Sequence, residues 1–282
     1  MQAGLLRFGT DFGNAAADQL FFPRDVSASR LVEDKARVLG AHPGRTARRA
    51  ETGAQREALV AARTWLEQTL EREGHDFPQG LSLEQLAPRI AEDFVILHYP
   101  AGGVDRSLFV HVCFPSGWRP EHILGKSFLQ IHAPVPAFGA VQRAAASLTE
   151  GMVTRGPYVR FVWTISADDF LDHHPEQGRR DVWTANTARG FLRVERQVTV
   201  PLPAERAAIF IIRTYLYGFE ELTEQQRATL RGALELMPPE HVRYKQLEIA
   251  VPRARELLTA QAQSTQVPTM RSDSNIPTGQ DS

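Results

Sequence analysis

The chain has 282 residues, 43 % of them hydrophobic, enough to bury a full core in one or two domains. Its net charge of -1 and pI near 6.8 leave no broad basic surface for nucleic acid or an anionic membrane. Cys113 is the single cysteine, which excludes internal disulfides, cysteine-based zinc clusters and iron–sulfur clusters held by this chain alone.

The first twenty residues, MQAGLLRFGTDFGNAAADQL, lack a basic segment followed by an apolar run. No stretch nears the ~20 apolar residues of a membrane span, so the expectation is a soluble, cytoplasmic protein. Residues 1–90 read as a polar, helical N-terminal extension. Within it, ETGAQREALVAARTWLEQTLEREG repeats apolar residues at Leu59, Ala62, Leu66 and Leu70, the period of an amphipathic helix. SLEQLAPRIAEDF predicts a second, short helix capped by Ser82.

The character changes at FVILHYPAGGVDRSLFVHVCFPSGW, where two β-rich runs, 94–99 and 108–114, flank a turn and predict a hairpin. FPSGW reads as its exit, with Pro115 and Gly117 setting a turn and Trp118 packing under the helices. A short-helix region through EHILGKSFLQIHAPVP and a longer helix, AFGAVQRAAASLTEGM, come next. Three β-type runs follow: YVRFVWTIS, FLRVERQVTV and AAIFIIRTYLY. Two strands, helices, then three strands predict an α+β core over 91–220: a five-stranded antiparallel sheet with helices on one face. TEQQRATLRGALELM adds an amphipathic helix in a C-terminal helical region, 221–260. Residues 261–282, rich in Ser, Thr, Pro and Gln, are expected to be disordered.

This strand order, with GKSF and IHAP after the hairpin, resembles a PAS domain. FPSGW, IHAPVP, RVERQ and IFIIRTY, in that order, are similar to the heme-dependent oxidative N-demethylase alpha subunits; the resemblance covers roughly residues 5–250. It implies a PAS-like fold holding heme b, a monooxygenase-type oxidation of a small secondary amine with O2, and release of formaldehyde. It also implies electrons delivered by a partner reductase through flavin and iron–sulfur subunits. The chain departs from the family pattern at Val162, where asparagine is usual, and at Val198.

His132 stands before Pro134 and Pro136, which stiffen the backbone and hold the imidazole at a fixed angle. With the resemblance this makes His132 the expected axial iron ligand; the structural alternative is a histidine capping the next helix or bonding a loop carbonyl. On the RVERQ strand, Leu192, Val194, Val198 and Val200 share one face with Arg196, while Arg193, Glu195 and Gln197 share the other. Either set can enter a heme pocket, Arg193 or Arg196 aimed at bound oxygen and Glu195 holding a cationic amine. The alternative is a salt-bridge ladder with Arg213 as partner. Arg213 and Tyr215 share one face of the last strand and complete the expected pocket, Tyr215 against the cofactor. Cys113 is a less favoured thiolate ligand. His173, His174, Asp169 and Asp172, in SADDFLDHHPEQGRR, read as an exposed loop whose spacing fits no defined metal site.

Two other functions use the same features. A heme-PAS gas or redox sensor would need an output module, and none is visible after residue 250. A heme-free scaffold subunit is the third reading.

Overall fold

The computed structural model describes residues 4–134, 138–176 and 181–264. Its elements run β1 (Leu6–Arg7), α1 (Ala28–Ala41), β2 (Thr46–Arg48), α2 (Gly53–Arg72), α3 (Leu83–Leu86), β3 (Asp93–His98) and β4 (Arg106–His111). They continue with α4 (Phe128–His132), α5 (Phe138–Thr154), β5 (Tyr158–Ser166), β6 (Phe191–Leu202), β7 (Ala207–Gly218), α6 (Glu224–Glu235), α7 (Pro239–Tyr244) and α8 (Ala250–Ser264).

The fold is α+β, built on one antiparallel sheet of order β1-β5-β6-β7-β3-β4-β2. All five expected strands are present. Among the described residues the sheet nevertheless has seven strands rather than five, because the N-terminal segment adds an edge strand at each side. At two and three residues, β1 and β2 are too short to display a period of two.

Helices cover both faces, not one. On the first face, α2 buries Ala58, Leu59, Ala62, Leu66 and Leu70 against Phe94, Ile96, Val198, Val200, Ile209 and Ile211. The helix begins at a capping box in which Thr52 accepts from the Gln55 backbone N–H and the Gln55 side chain reaches back to Thr52. Thr52→Ala is therefore expected to lower stability by about 1 kcal/mol, read as a lower urea midpoint with an unchanged slope. Further along the strands, α6 and α8 pack Leu230, Leu234, Ala254 and Leu258 against Ile165 and Phe219.

On the second face, Val153 of α5, with Met152, packs against Leu97 and Ala208. Trp118 lies half-buried against Val95, Val110 and Val112, and Gly117 takes the turn with φ of 81°. Helix α8 runs to Ser264, past the expected boundary at 260. The remainder of the expected disordered tail, and Pro136, lie outside the described residues. No helix among the described residues is long and apolar enough to cross a membrane.

Candidate functional site

His132 is the last residue of α4, a helix of little more than one turn. Ser127 and Gln130 start it with a capping box, and Asp105 accepts from the backbone N–H of Phe128. The turn brings His132 Nδ1 to 2.8 Å from the Phe128 carbonyl, and the two rings pack at 4.1 Å. Since a carbonyl can only accept, Nδ1 carries a proton, and in the neutral ring Nε2 keeps its lone pair. Among the described residues Nε2 has no hydrogen-bond partner. Burial lowers the ring's pKa; the Phe128 carbonyl opposes that, Arg160 adds to it and Asp105 opposes it. The stiffness expected from Pro134 and Pro136 is thus supplied at least partly by a helical turn.

The sheet face beneath α4 and α5 carries a polar row across β5 and β6. Arg160 pairs in register with Gln197, Val162 with Glu195 and Thr164 with Arg193. Arg160 Nε donates to Gln197 Oε1 at 2.7 Å, and Gln197 Nε2 donates to Glu195 Oε2 at 2.9 Å. Glu195 Oε1 lies 3.8 Å from Arg193 Nε. Arg193 is itself fully buried and donates to the carbonyls of Leu171 and Phe114 at 2.7 and 2.6 Å, tying two loops to the sheet. Lys245 reaches the sheet edge, donates to the Trp163 carbonyl at 2.5 Å, and has its pKa lowered by burial against the pull of Glu195.

Burial varies along both faces. Under α2, Val198, Val200, Ile209 and Ile211 are 0–3 % exposed. On the face of His132, Arg193, Gln197, Thr199, Ile212 and Thr214 are buried, while Arg160, Val162, Thr164, Glu195 and Phe210 are half-buried. Those half-buried side chains are both apolar and charged.

Arg196, Arg213 and Tyr215 lie on the opposite face, so the sheet separates them from His132. Arg196 pairs in register with Arg213, Arg196 Nη2 donates to the Leu20 carbonyl at 2.8 Å, and its guanidinium sits over the Phe8 ring. Arg213 donates to Glu92 at 3.0 Å, Asp25 at 2.6 Å and Ser27 Oγ at 3.1 Å, and sits over the Tyr215 ring. Burial pushes the Tyr215 hydroxyl up to about 12. The expected ladder between Arg213 and RVERQ is therefore not formed: its carboxylates come from Glu92 and the N-terminal segment.

A second cluster is fully enclosed. Asp93, His111 and Cys113 place their ligand atoms within 4.8 Å of one another, a possible metal site by that measure. The Lys35 ammonium already stands 3.0 Å from Asp93 Oδ1, supplying the positive charge a cation would bring. Burial, with Lys35, holds the His111 pKa well below its usual value, and burial pushes the Cys113 thiol far up. That chemistry suits a neutral, packed cysteine better than a thiolate ligand. The expected exposed loop is corrected: His173 and His174 are 1 % and 6 % exposed, because His173 bonds Asp168 at 2.9 Å and His174 bonds Glu121 at 3.0 Å.

Residues 51–253 match the family model described as haem-dependent oxidative N-demethylase, alpha subunit-like, and the chain belongs to that family. The family name points to an oxidoreductase that depends on heme, and an alpha subunit implies further subunits. The residues present fit that cofactor: an imidazole whose Nδ1 is fixed by a carbonyl and whose Nε2 has no partner among the described residues is a donor arrangement that suits a metal ligand.

Proposed function

We propose that the chain is the heme-binding oxygenase subunit of an oxidative N-demethylase acting on a small amine. The observation that carries this reading is His132, its Nδ1 donating to the Phe128 carbonyl and its Nε2 lone pair left for iron. The order of the five longer strands, β5-β6-β7-β3-β4, with α4 and α5 inserted between β4 and β5, supports a PAS-like core over 91–220. The first 90 residues act as a cover on its far face, and 221–260 as a second cover.

Bound there, heme supplies activation of O2 with electrons from a partner reductase. The net change is an N-methyl amine plus O2, two electrons and two protons giving the demethylated amine, formaldehyde and water. An outside electron source is part of this reading because one buried cysteine cannot ligate an iron–sulfur cluster and the sequence carries no dinucleotide-binding glycine motif.

Glu195 holds the substrate as its ammonium ion. Its carboxylate is 14 % exposed, oriented by Gln197, and flanked by the apolar Val162 that shapes the amine's alkyl side. Arg193 fixes the floor and stops Glu195 from turning away. Arg196, Arg213 and Tyr215 serve the fold by holding the N-terminal cover.

The test is formaldehyde release from dimethylamine by heme-loaded protein with a surrogate reductant. Glu195→Gln is expected to raise KM roughly 10-fold or more, since a charge-assisted hydrogen bond is worth about 1.5–3 kcal/mol. An unchanged KM would remove Glu195 from the amine site, and absence of formaldehyde from the native chain would remove demethylation of this amine.

A further inference from the structure

Arg160 escapes notice in the sequence, where it is one charge in a β-type run. In the structure it is half-buried on the face of His132, bonded through Nε to Gln197 Oε1 at 2.7 Å. Its two terminal nitrogens have no hydrogen-bond partner among the described residues. Arg193, on the same face, spends its terminal nitrogens on the Leu171 and Phe114 carbonyls, and Lys245 spends its ammonium on the Trp163 carbonyl. Arg160 and Glu195 stand diagonally across β5 and β6 yet form no ion pair with each other. Gln197 lies between them, accepting from one and donating to the other. Its amide fixes both groups side by side and prevents their mutual neutralisation.

The terminal nitrogens of Arg160 are not closed off from solvent, so an acceptor-bearing ligand replaces water, not protein, on the fork. The planar fork matches a carboxylate bidentately.

We propose that Arg160 binds a carboxylate held on this face beside His132. This deepens the heme reading above and rests on it. The carboxylate has two possible sources. One is a propionate of the porphyrin. The other is the carboxylate of an N-methyl amino acid whose ammonium sits on Glu195; diagonal partners on neighbouring strands are about 7–8 Å apart, a gap that a zwitterion of that size fills.

The experiment compares native protein with Arg160→Gln and Arg160→Lys. Heme uptake is titrated by the Soret band, using protoheme and its propionate dimethyl ester, and sarcosine and dimethylamine binding to heme-loaded protein are measured by calorimetry. If the porphyrin is the source, Arg160→Gln weakens protoheme uptake roughly 10-fold or more, and the ester binds both proteins alike. If the substrate is the source, protoheme uptake is unchanged, sarcosine binding falls by a similar factor, and dimethylamine binding is unaffected. Arg160→Lys, which keeps the charge and loses the fork, falls between. Thermal midpoints of both variants show whether they fold, and Arg160→Lys carries the comparison should the glutamine variant not. Protoheme and sarcosine binding within twofold of native in a folded variant would overturn the proposal and leave the heme reading intact. A native protein that takes up no heme would overturn both.

Discussion

His132→Ala is expected to abolish the Soret band that the native chain acquires when supplied with heme. The effect is large because the substitution removes the nitrogen proposed to bind iron, whereas losing only an outer-sphere partner of a metal ligand costs about 10–100-fold in affinity. It should be specific. His132 is half-buried at the end of a helix of little more than one turn and supports no core cluster, so the thermal midpoint of the heme-free variant should stay near native. Added imidazole should restore a Soret band to His132→Gly by refilling the vacated position. The lowered pKa of the ring sets the pH response. A histidine whose folded pKa lies below its unfolded value disfavours protonation in the folded state, so the nitrogen stays available somewhat below the usual titration range near 6.5, and heme is lost only at more acidic pH. Unchanged heme uptake by His132→Ala would move the ligand to another residue, and a colourless native protein would leave the scaffold reading.

Arg213→Met is expected to cost about 3–5 kcal/mol of stability, the range for removing one partner of a buried ion pair. Arg213 and Glu92 are 1 % and 2 % exposed at the side chain. The glutamate has its pKa raised by burial, with Arg213 and then Lys35 pulling it down, so losing the guanidinium removes the cation that bonds this buried acid and leaves only Lys35 and Arg196 to oppose its charge. The same side chain holds Asp25 and Ser27, while Arg196 beside it holds Leu20. Limited proteolysis should therefore cut the variant in the first 30 residues before the native chain is touched. Replacing Glu92 with leucine in the same protein should recover part of the loss, because the stranded charge goes with it. A variant with native stability but no turnover would instead place Arg213 in the chemistry.

These two residues illustrate why the site was only partly legible. Arg196 interrupts the apolar face of Leu192, Val194, Val198 and Val200, a pattern that reads as a polar donor in an apolar pocket. The pattern is real, but its partner is a backbone carbonyl 176 residues away in sequence. No local periodicity carries information at that range. Gln197 and Glu195 were correctly grouped on the other face by alternation alone, yet Arg160 became visible only when register set it beside Gln197.

Local physics determined the elements. The 3.6-residue spacing of α2, the capping boxes at Thr52 and Ser82, and the alternation of β5, β6 and β7 are all short-range properties, and the elements formed where those properties lay. The chemical inventory was local too: one histidine after GKSF, one glutamate between two arginines, one cysteine. Only the tertiary structure decided which sheet face met α2 and which met α4, because both faces of β6 carry charge and apolar surface, so alternation cannot rank them. It also decided that two residues of β1 and three of β2 join the sheet, since strands so short are held by their neighbours' unpaired edges rather than by their own sequence.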